Sequence, residues 1–188
     1  MIIIGITGTL GAGKGTMVEF LVENQGFVHF SVRGYISEEI LRRGLTVNRD
    51  NMVTVANSLR AEYSPSYIVD QLWEQAELSG KNCVIESIRT PGEVDSLRSK
   101  GNFLLLAVDA DPVLRYNRIL LRNSETDQVS YQTFLDNEKR EMNSEDPNKQ
   151  NLRRCIQLAD IVFSNNGSIL DLTRQLAAEL GKMKFDSI

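Results

Sequence analysis

The run Gly8-Thr9-Leu10-Gly11-Ala12-Gly13-Lys14-Gly15-Thr16 constrains this chain more than any other stretch. Before it stands Met1 to Thr7, a β-branched apolar segment that reads as a buried strand. After it, Met17, Val18, Leu21 and Val22 bring apolar residues back at helical spacing. Strand, glycine-rich turn and helix form the context in which a loop can cradle phosphate. Glycines at 8, 11, 13 and 15 let the backbone curl around Ala12 with its N–H groups turned inward. The helix start adds free N–H groups and the positive end of its dipole. Lys14 is placed to reach the terminal phosphates of a nucleoside triphosphate. In the usual signature Ser or Thr follows the lysine, but here Gly15 intervenes before Thr16. A direct magnesium ligand at position 15 is therefore missing. Thr16 becomes the candidate contact to phosphate and to metal, with Mg2+ held largely by phosphate oxygens and water.

A chain of 188 residues predicts one domain over 1–188 with room for a small cap and lid. A hydrophobic share of 41% and a charged share of 24% are ordinary for a soluble globular protein. The net charge of -4 argues against an extended nucleic-acid surface, though local arginines can still bind nucleotides. Cys83 and Cys155 are too isolated for a disulfide framework or a zinc site, which points to a reducing, cytoplasmic setting. The N-terminal apolar run lacks a basic leader and is needed for the first strand. No stretch is long enough to span a membrane. The expected partner is a small-molecule nucleotide acceptor, with neither nucleic acid nor membrane, and the protein is a monomer or homodimer.

The first helix is expected to stop at Gly26, and residues 27–30 read as strand two. In an open parallel sheet ligands meet the carboxyl ends of the strands, which puts Arg33 where a second substrate would lie. His29, the only histidine, reads as a packed core residue. Helices are predicted over about 37–43 and from Asp50, and a third from Ser64-Pro65 with Ser64 as its cap. Three helices without a strand over 31–80 exceed what one crossover needs, so this region reads as a helical acceptor-binding cap. Arg33, Arg42, Arg43, Arg49 and Arg60 can line its inner face, and Arg33 and Arg60 are favoured.

Residues 83–86 are strand three, and Glu86 at its end is the expected acidic half of a nucleotide–magnesium site, acting directly or through water. Arg89 follows closely enough to face the same cleft. Thr90-Pro91-Gly92-Glu93 is a capping box with proline at the first helical position. Residues 103–108 are strand four. On the helix opened by Asp111-Pro112, Arg115, Arg118 and Arg122 share one face, with Asp111 the only local acidic partner, and this reads as an anion clamp. A polar stretch over 123–129, a helix from Ser130 carrying Lys139 and Arg140, and a loop over 143–150 complete a short lid spanning about 115–150. Residues 160–164 are strand five. A turn through Asn165-Asn166-Gly167 then leads to a final helix capped by Ser168 and Asp171, and the backbone of that turn is a candidate contact to the nucleotide base.

The glycine-rich loop with Gly-Lys-Gly-Thr, Ser-x-Arg after strand two, Ile-Glu-Ser-Ile-Arg around Glu86, the arginine helix and Ala-Asp-x-x-x-x-Asn-x-Gly-Ser resemble the adenylate-kinase-related P-loop kinases. Within them the likeness is to a nucleoside monophosphate kinase-like or dephospho-CoA kinase-like group. It implies an α/β P-loop NTPase three-layer fold with five parallel strands in the order 2-3-1-4-5. It places Gly11, Gly13, Lys14, Gly15 and Thr16 on the phosphates of ATP, Arg33 and Arg89 near the acceptor, and Arg118, Arg122 and Arg140 in the lid. Glu86 departs from the commoner aspartate, and Ser87 stands where that pattern has glycine. The implied activity is Mg2+-dependent transfer of the γ-phosphoryl group of ATP to a nucleoside or deoxynucleoside monophosphate. Transfer to a hydroxyl, as in dephospho-CoA kinases, and a nucleotide-controlled switch or assembly factor are the alternatives.

Overall fold

The computed structural model describes residues 1–122 and 128–182, so most of the polar stretch expected over 123–129 lies outside the described residues. A single parallel sheet in the order β2-β3-β1-β4-β5 forms the frame. Its strands are β1 (Ile3–Gly8), β2 (Val28–Ser31), β3 (Cys83–Glu86), β4 (Phe103–Asp109) and β5 (Ile161–Ser164). All six residues of β1 are buried, because β3 pairs on one side, β4 on the other, and helices cover both faces. That is the burial expected of a continuous apolar run in a parallel sheet.

On one face lie α1 (Lys14–Gln25) and α9 (Ile169–Lys182). Their Met17, Leu21, Leu172 and Leu176 pack with Ile4, Ile6 and Val108. On the other face lie α2 (Val32–Arg42), α3 (Arg49–Glu62), α4 (Tyr67–Ser79), α5 (Pro91–Lys100) and α8 (Leu152–Leu158), around a core of Ile3, Ile36, Leu59, Leu72, Trp73, Ile85 and Leu97. The remaining pair, α6 (Pro112–Arg122) and α7 (Tyr131–Met142), is joined through Tyr116, Tyr131 and Phe134.

Local chemistry sets most of the boundaries. Gly26, with φ of 70°, closes α1 as Phe27 N–H bonds back to Leu21 O at 3.1 Å. The Thr90–Glu93 capping box opens α5. Two starts differ from expectation. Ser31 ends β2 and at once caps α2, its Oγ accepting Gly34 N–H at 3.0 Å, so this helix begins at Val32 rather than near Ser37. Ser64-Pro65 forms a turn, with Tyr67 N–H bonded to Ser64 O at 3.1 Å, and α4 begins after Ser66. The early start of α2 moves Arg33 from a loop onto the first turn of a helix.

Candidate functional site

The loop between β1 and α1 is held from behind. Gly8 has φ of 139°, and a Cβ there would stand 2.1 Å from Val108 O on β4. Gly13, with φ of 116°, caps α1 in the left-handed region that favours glycine. A Cβ on Gly13 would lie 2.5 Å from Asn165 Nδ2, which donates to Ala12 O at 2.8 Å. Thr9 Oγ1 donates to Asp109 Oδ1 at 2.5 Å, tying the loop to the end of β4. Gly15 differs from the other loop glycines, since a Cβ there meets nothing within 4 Å.

Lys14 bends over its own loop. Its Nζ donates to Gly8 O and Thr9 O, each at 2.9 Å. Burial, and after it the charge of Arg89, lowers its pKa to about 7, against the opposing pull of Glu86 and Glu141. Two carbonyls and the charges of Glu86 and Glu141 do not offset the burial of this amine, and a polyphosphate would bring further negative charge to it.

A cavity of about 740 Å³ opens in front of the loop. Leu10, Gly11, Gly13, Lys14, Gly15 and Thr16 line one side. Arg33, Met52, Val53, Ala56 and Arg60 face it from the cap, Glu86 and Arg89 from the end of β3, and Arg118, Ile119 and Arg122 from α6. Seven basic against three acidic side chains among the described lining residues make it a place for anions.

The expected residues divide by position. Lys14, Gly11, Gly13, Gly15, Thr16, Arg33, Glu86, Arg89, Arg118 and Arg122 share the cavity wall. Gly8 and Ala12 do not line it. Gly8 shapes the loop against β4, and the Ala12 side chain is buried in the core with Leu172 and Leu176. Arg60 reaches the cavity but is 1% exposed, with its Nε and Nη2 both donating to Glu93 Oε1, at 3.1 and 2.8 Å. Its Nη1 is buried without a partner. Arg60 is thus first a structural tie between α3 and the capping box of α5.

Two lid arginines stand off the cavity wall. Arg140 does not line the cavity. It lies on the outer side of α7, with Nη2 donating to Asn137 Oδ1 at 3.3 Å and 3.9 Å from Asp50. The next position, Glu141, is the one turned inward, because adjacent helical residues are about 100° apart. Arg115 is not part of an exposed clamp either. It is 2% exposed, donates through Nε to Ala110 O at 2.8 Å and through Nη1 to Leu10 O at 3.2 Å, and is held by both oxygens of Glu138 on α7. Its acidic partner comes from a different helix, which local spacing does not show. His29 is also corrected. It is exposed on edge strand β2 and lines the cavity rim.

Of the cap arginines, Arg42 and Arg43 pair with Glu39 away from the cavity, whereas Arg49 lies on its wall. Glu141 and Gln150 join it there, neither of which was singled out from sequence. Asn165 lies on the cavity wall, and its buried Oδ1 is without a partner.

Glu86 is the acidic group in front of Lys14. Its Oε1 accepts from Ser31 Oγ at 2.8 Å, and its Oε2 accepts from Ser87 Oγ. Ser87 adopts φ of 71°, a left-handed conformation that suits glycine better. The donor set fits a magnesium ion carried by nucleotide phosphates. Thr16 offers a hydroxyl and Glu86 one carboxylate on the same wall, and no group of three or more His, Cys, Asp or Glu among the described residues forms a separate cage.

The comparisons agree with this frame. A family described as AAA domain matches residues 4–154. A UPF0200 protein from Methanococcus vannielii is 32% identical over 168 residues, which is 88% of this chain and 87% of that protein. A gluconokinase from Sinorhizobium meliloti superposes with a TM-score of 0.60 at 13% identity, covering 96% of this chain and 92% of its own. Shikimate kinase from Aquifex aeolicus superposes at 0.55 with 11% identity, covering 99% and 100%. At such identities these structures show a shared P-loop kinase-like fold. No helix among the described residues is long and apolar enough to cross a membrane.

Proposed function

The chain belongs to the AAA domain family and to the UPF0200 family, and from that premise we propose that it transfers the γ-phosphoryl group of ATP to a nucleoside or deoxynucleoside monophosphate. One observation carries the reading. A single cavity joins the phosphate loop and Lys14 to Arg33 and Arg89 on the acceptor side and to Arg118 and Arg122 on α6. A switch that only binds and hydrolyses nucleotide has no use for the second group of cations. A phosphotransferase must hold two anionic substrates whose charges repel each other.

Loop N–H groups and Lys14 hold the β- and γ-phosphates, while Arg118 and Arg122 neutralise charge that spreads over the transferring group. Arg33 and Arg89 orient the acceptor phosphate, which is already an anionic nucleophile and needs no base. Thr16 and Glu86 would hold magnesium, in part through water, and the ion would supply charge neutralisation on the phosphates. Closure of the α2–α4 cap and the α6–α7 lid would exclude water and limit hydrolysis.

Transfer to a hydroxyl is the second reading, favoured by one feature of the site. Glu86 is a carboxylate on the cavity wall that already accepts hydrogen bonds from two hydroxyls, those of Ser31 and Ser87, the contact a base makes to an alcohol before taking its proton. The test is ATP–Mg2+ turnover over a panel of nucleoside monophosphates, dephospho-CoA and sugar acids, with Lys14→Ala as the blank. Turnover of a monophosphate lost in Lys14→Ala supports the first reading. Turnover confined to hydroxyl acceptors and lost in Glu86→Gln moves the conclusion to the second. ATP binding without phosphorylation of any acceptor overturns both.

A further inference from the structure

The acceptor side of the cavity already contains an anion of the protein's own. Glu141, on α7, is 5% exposed and stands between two arginines from different parts of the chain. Its Oε1 accepts from Arg49 Nη2 on α3 at 2.5 Å, and its Oε2 accepts from Arg89 Nη1, after β3, at 2.8 Å. Gln150 Oε1 takes a second contact from Arg89 Nη1 at 2.7 Å. All four residues line the cavity, and Arg49 Nε is buried without a partner. Two guanidiniums converging on one carboxylate reproduce the geometry by which a phosphate or carboxylate ligand is bound.

We infer that Glu141 is the resident anion of the acceptor site, holding Arg49 and Arg89 until the anionic group of the acceptor takes its place. The inference rests on the phosphotransfer reading and names within it a specificity-determining residue. The observations support exchange over mere bracing. Burial alone pushes the Glu141 carboxyl up, yet Arg89 and Arg49 more than offset this and keep it below its ordinary value, so it is held as an anion. The orphan Nε of Arg49 shows that one carboxylate does not satisfy the pair, whereas a tetrahedral dianion brings more acceptor oxygens. The pair Arg49–Glu141 also ties the cap helix α3 to the lid helix α7. Only an acceptor whose charge exceeds that of one carboxylate displaces Glu141 effectively. Neutral polyols are excluded.

The test uses sulfate, a dianion that does not titrate near neutrality, added to full-length protein whose phosphate loop is first saturated with a magnesium complex of a non-hydrolysable ATP analogue. Failure of that analogue to bind counts against the phosphotransfer reading itself. With it bound, Glu141→Gln is expected to bind sulfate about tenfold more tightly, because a competing charge is gone and the amide keeps the shape. In the unmodified protein, the 13C-carboxyl resonance of Glu141 should shift as sulfate is added. Unchanged or weaker sulfate binding in Glu141→Gln, or a Glu141 resonance that does not respond to bound sulfate, overturns the inference, and Glu141 is then only a brace. If Glu141→Gln does not fold, the carboxyl resonance of the unmodified protein decides alone.

Discussion

At the scale of single residues, Lys14 carries the most direct consequence. Its pKa of about 7 lies below the ordinary lysine value of 10.5, chiefly because burial penalises the ammonium. Between those two values the unfolded chain binds the proton and the folded chain does not. Stability contributed through this lysine therefore rises with pH across that window and is lowest below it. A bound polyphosphate reverses the penalty, so nucleotide binding should take up a proton between about pH 7 and 10 and none well below. Calorimetric titration in buffers of different ionisation enthalpy measures this uptake, and Lys14→Met should abolish it. Gly15 gives a second prediction. The open space at its Cβ position means that Gly15→Ala should be tolerated and add about 0.5 kcal/mol through helix propensity, read by urea unfolding. Gly15→Ser would also restore a hydroxyl where the common loop has one. It should retain transfer activity with a lower magnesium requirement.

At the scale of elements, buried charge joins helices that are distant in sequence. Glu93 is fully buried and accepts from Arg60 on α3 and from the N–H groups of Arg89 and Thr90. One carboxylate thereby caps α5, anchors the cap and fixes the segment that carries Arg89. Glu93→Gln leaves the Arg60 charge without its counter-ion and should cost about 3–5 kcal/mol, whereas Thr90→Ala removes one cap bond and should cost about 1 kcal/mol. Denaturant unfolding separates the two. Arg115 performs the corresponding task for α6 and α7, with its guanidinium on Leu10 O and Glu138 and 5.4 Å from the Phe134 ring. Arg115→Met should lose about 3 kcal/mol and raise hydrogen exchange first in α7.

At the scale of the molecule, the cap helices, the phosphate loop and the lid helices are separate parts, and the ligand site is the space they share. Ligand binding should therefore stabilise the whole. A hundredfold excess of Mg–ATP analogue over its Kd should add about 2.7 kcal/mol, a Tm rise of roughly 5–10 °C, absent in Lys14→Ala. A thermal melt with and without the analogue checks it.

The sequence by itself determined the frame. The apolar run before Gly8, the glycine spacing, Gly26, the Thr90–Glu93 box and the apolar strands are local signals, and each acts within one turn or one strand. They specify the strands, the helices and the phosphate loop after β1, while the order 2-3-1-4-5 was implied by the resemblance to P-loop kinases and is the order the sheet has, with that loop at the carboxyl end of its central strand. The tertiary structure alone decided which charges meet. Arg115 and Glu138 are 23 residues apart, Arg89 and Glu141 52, and Arg49 and Glu141 92. A guanidinium finds its carboxylate through space, and sequence spacing carries no record of such a meeting. For the same reason one helical step separates Glu141, turned into the cavity, from Arg140, turned out of it. Periodicity marks the apolar stripe of a helix, but where two faces are both charged, only packing against α3 and the segment after β3 selects the one that looks inward.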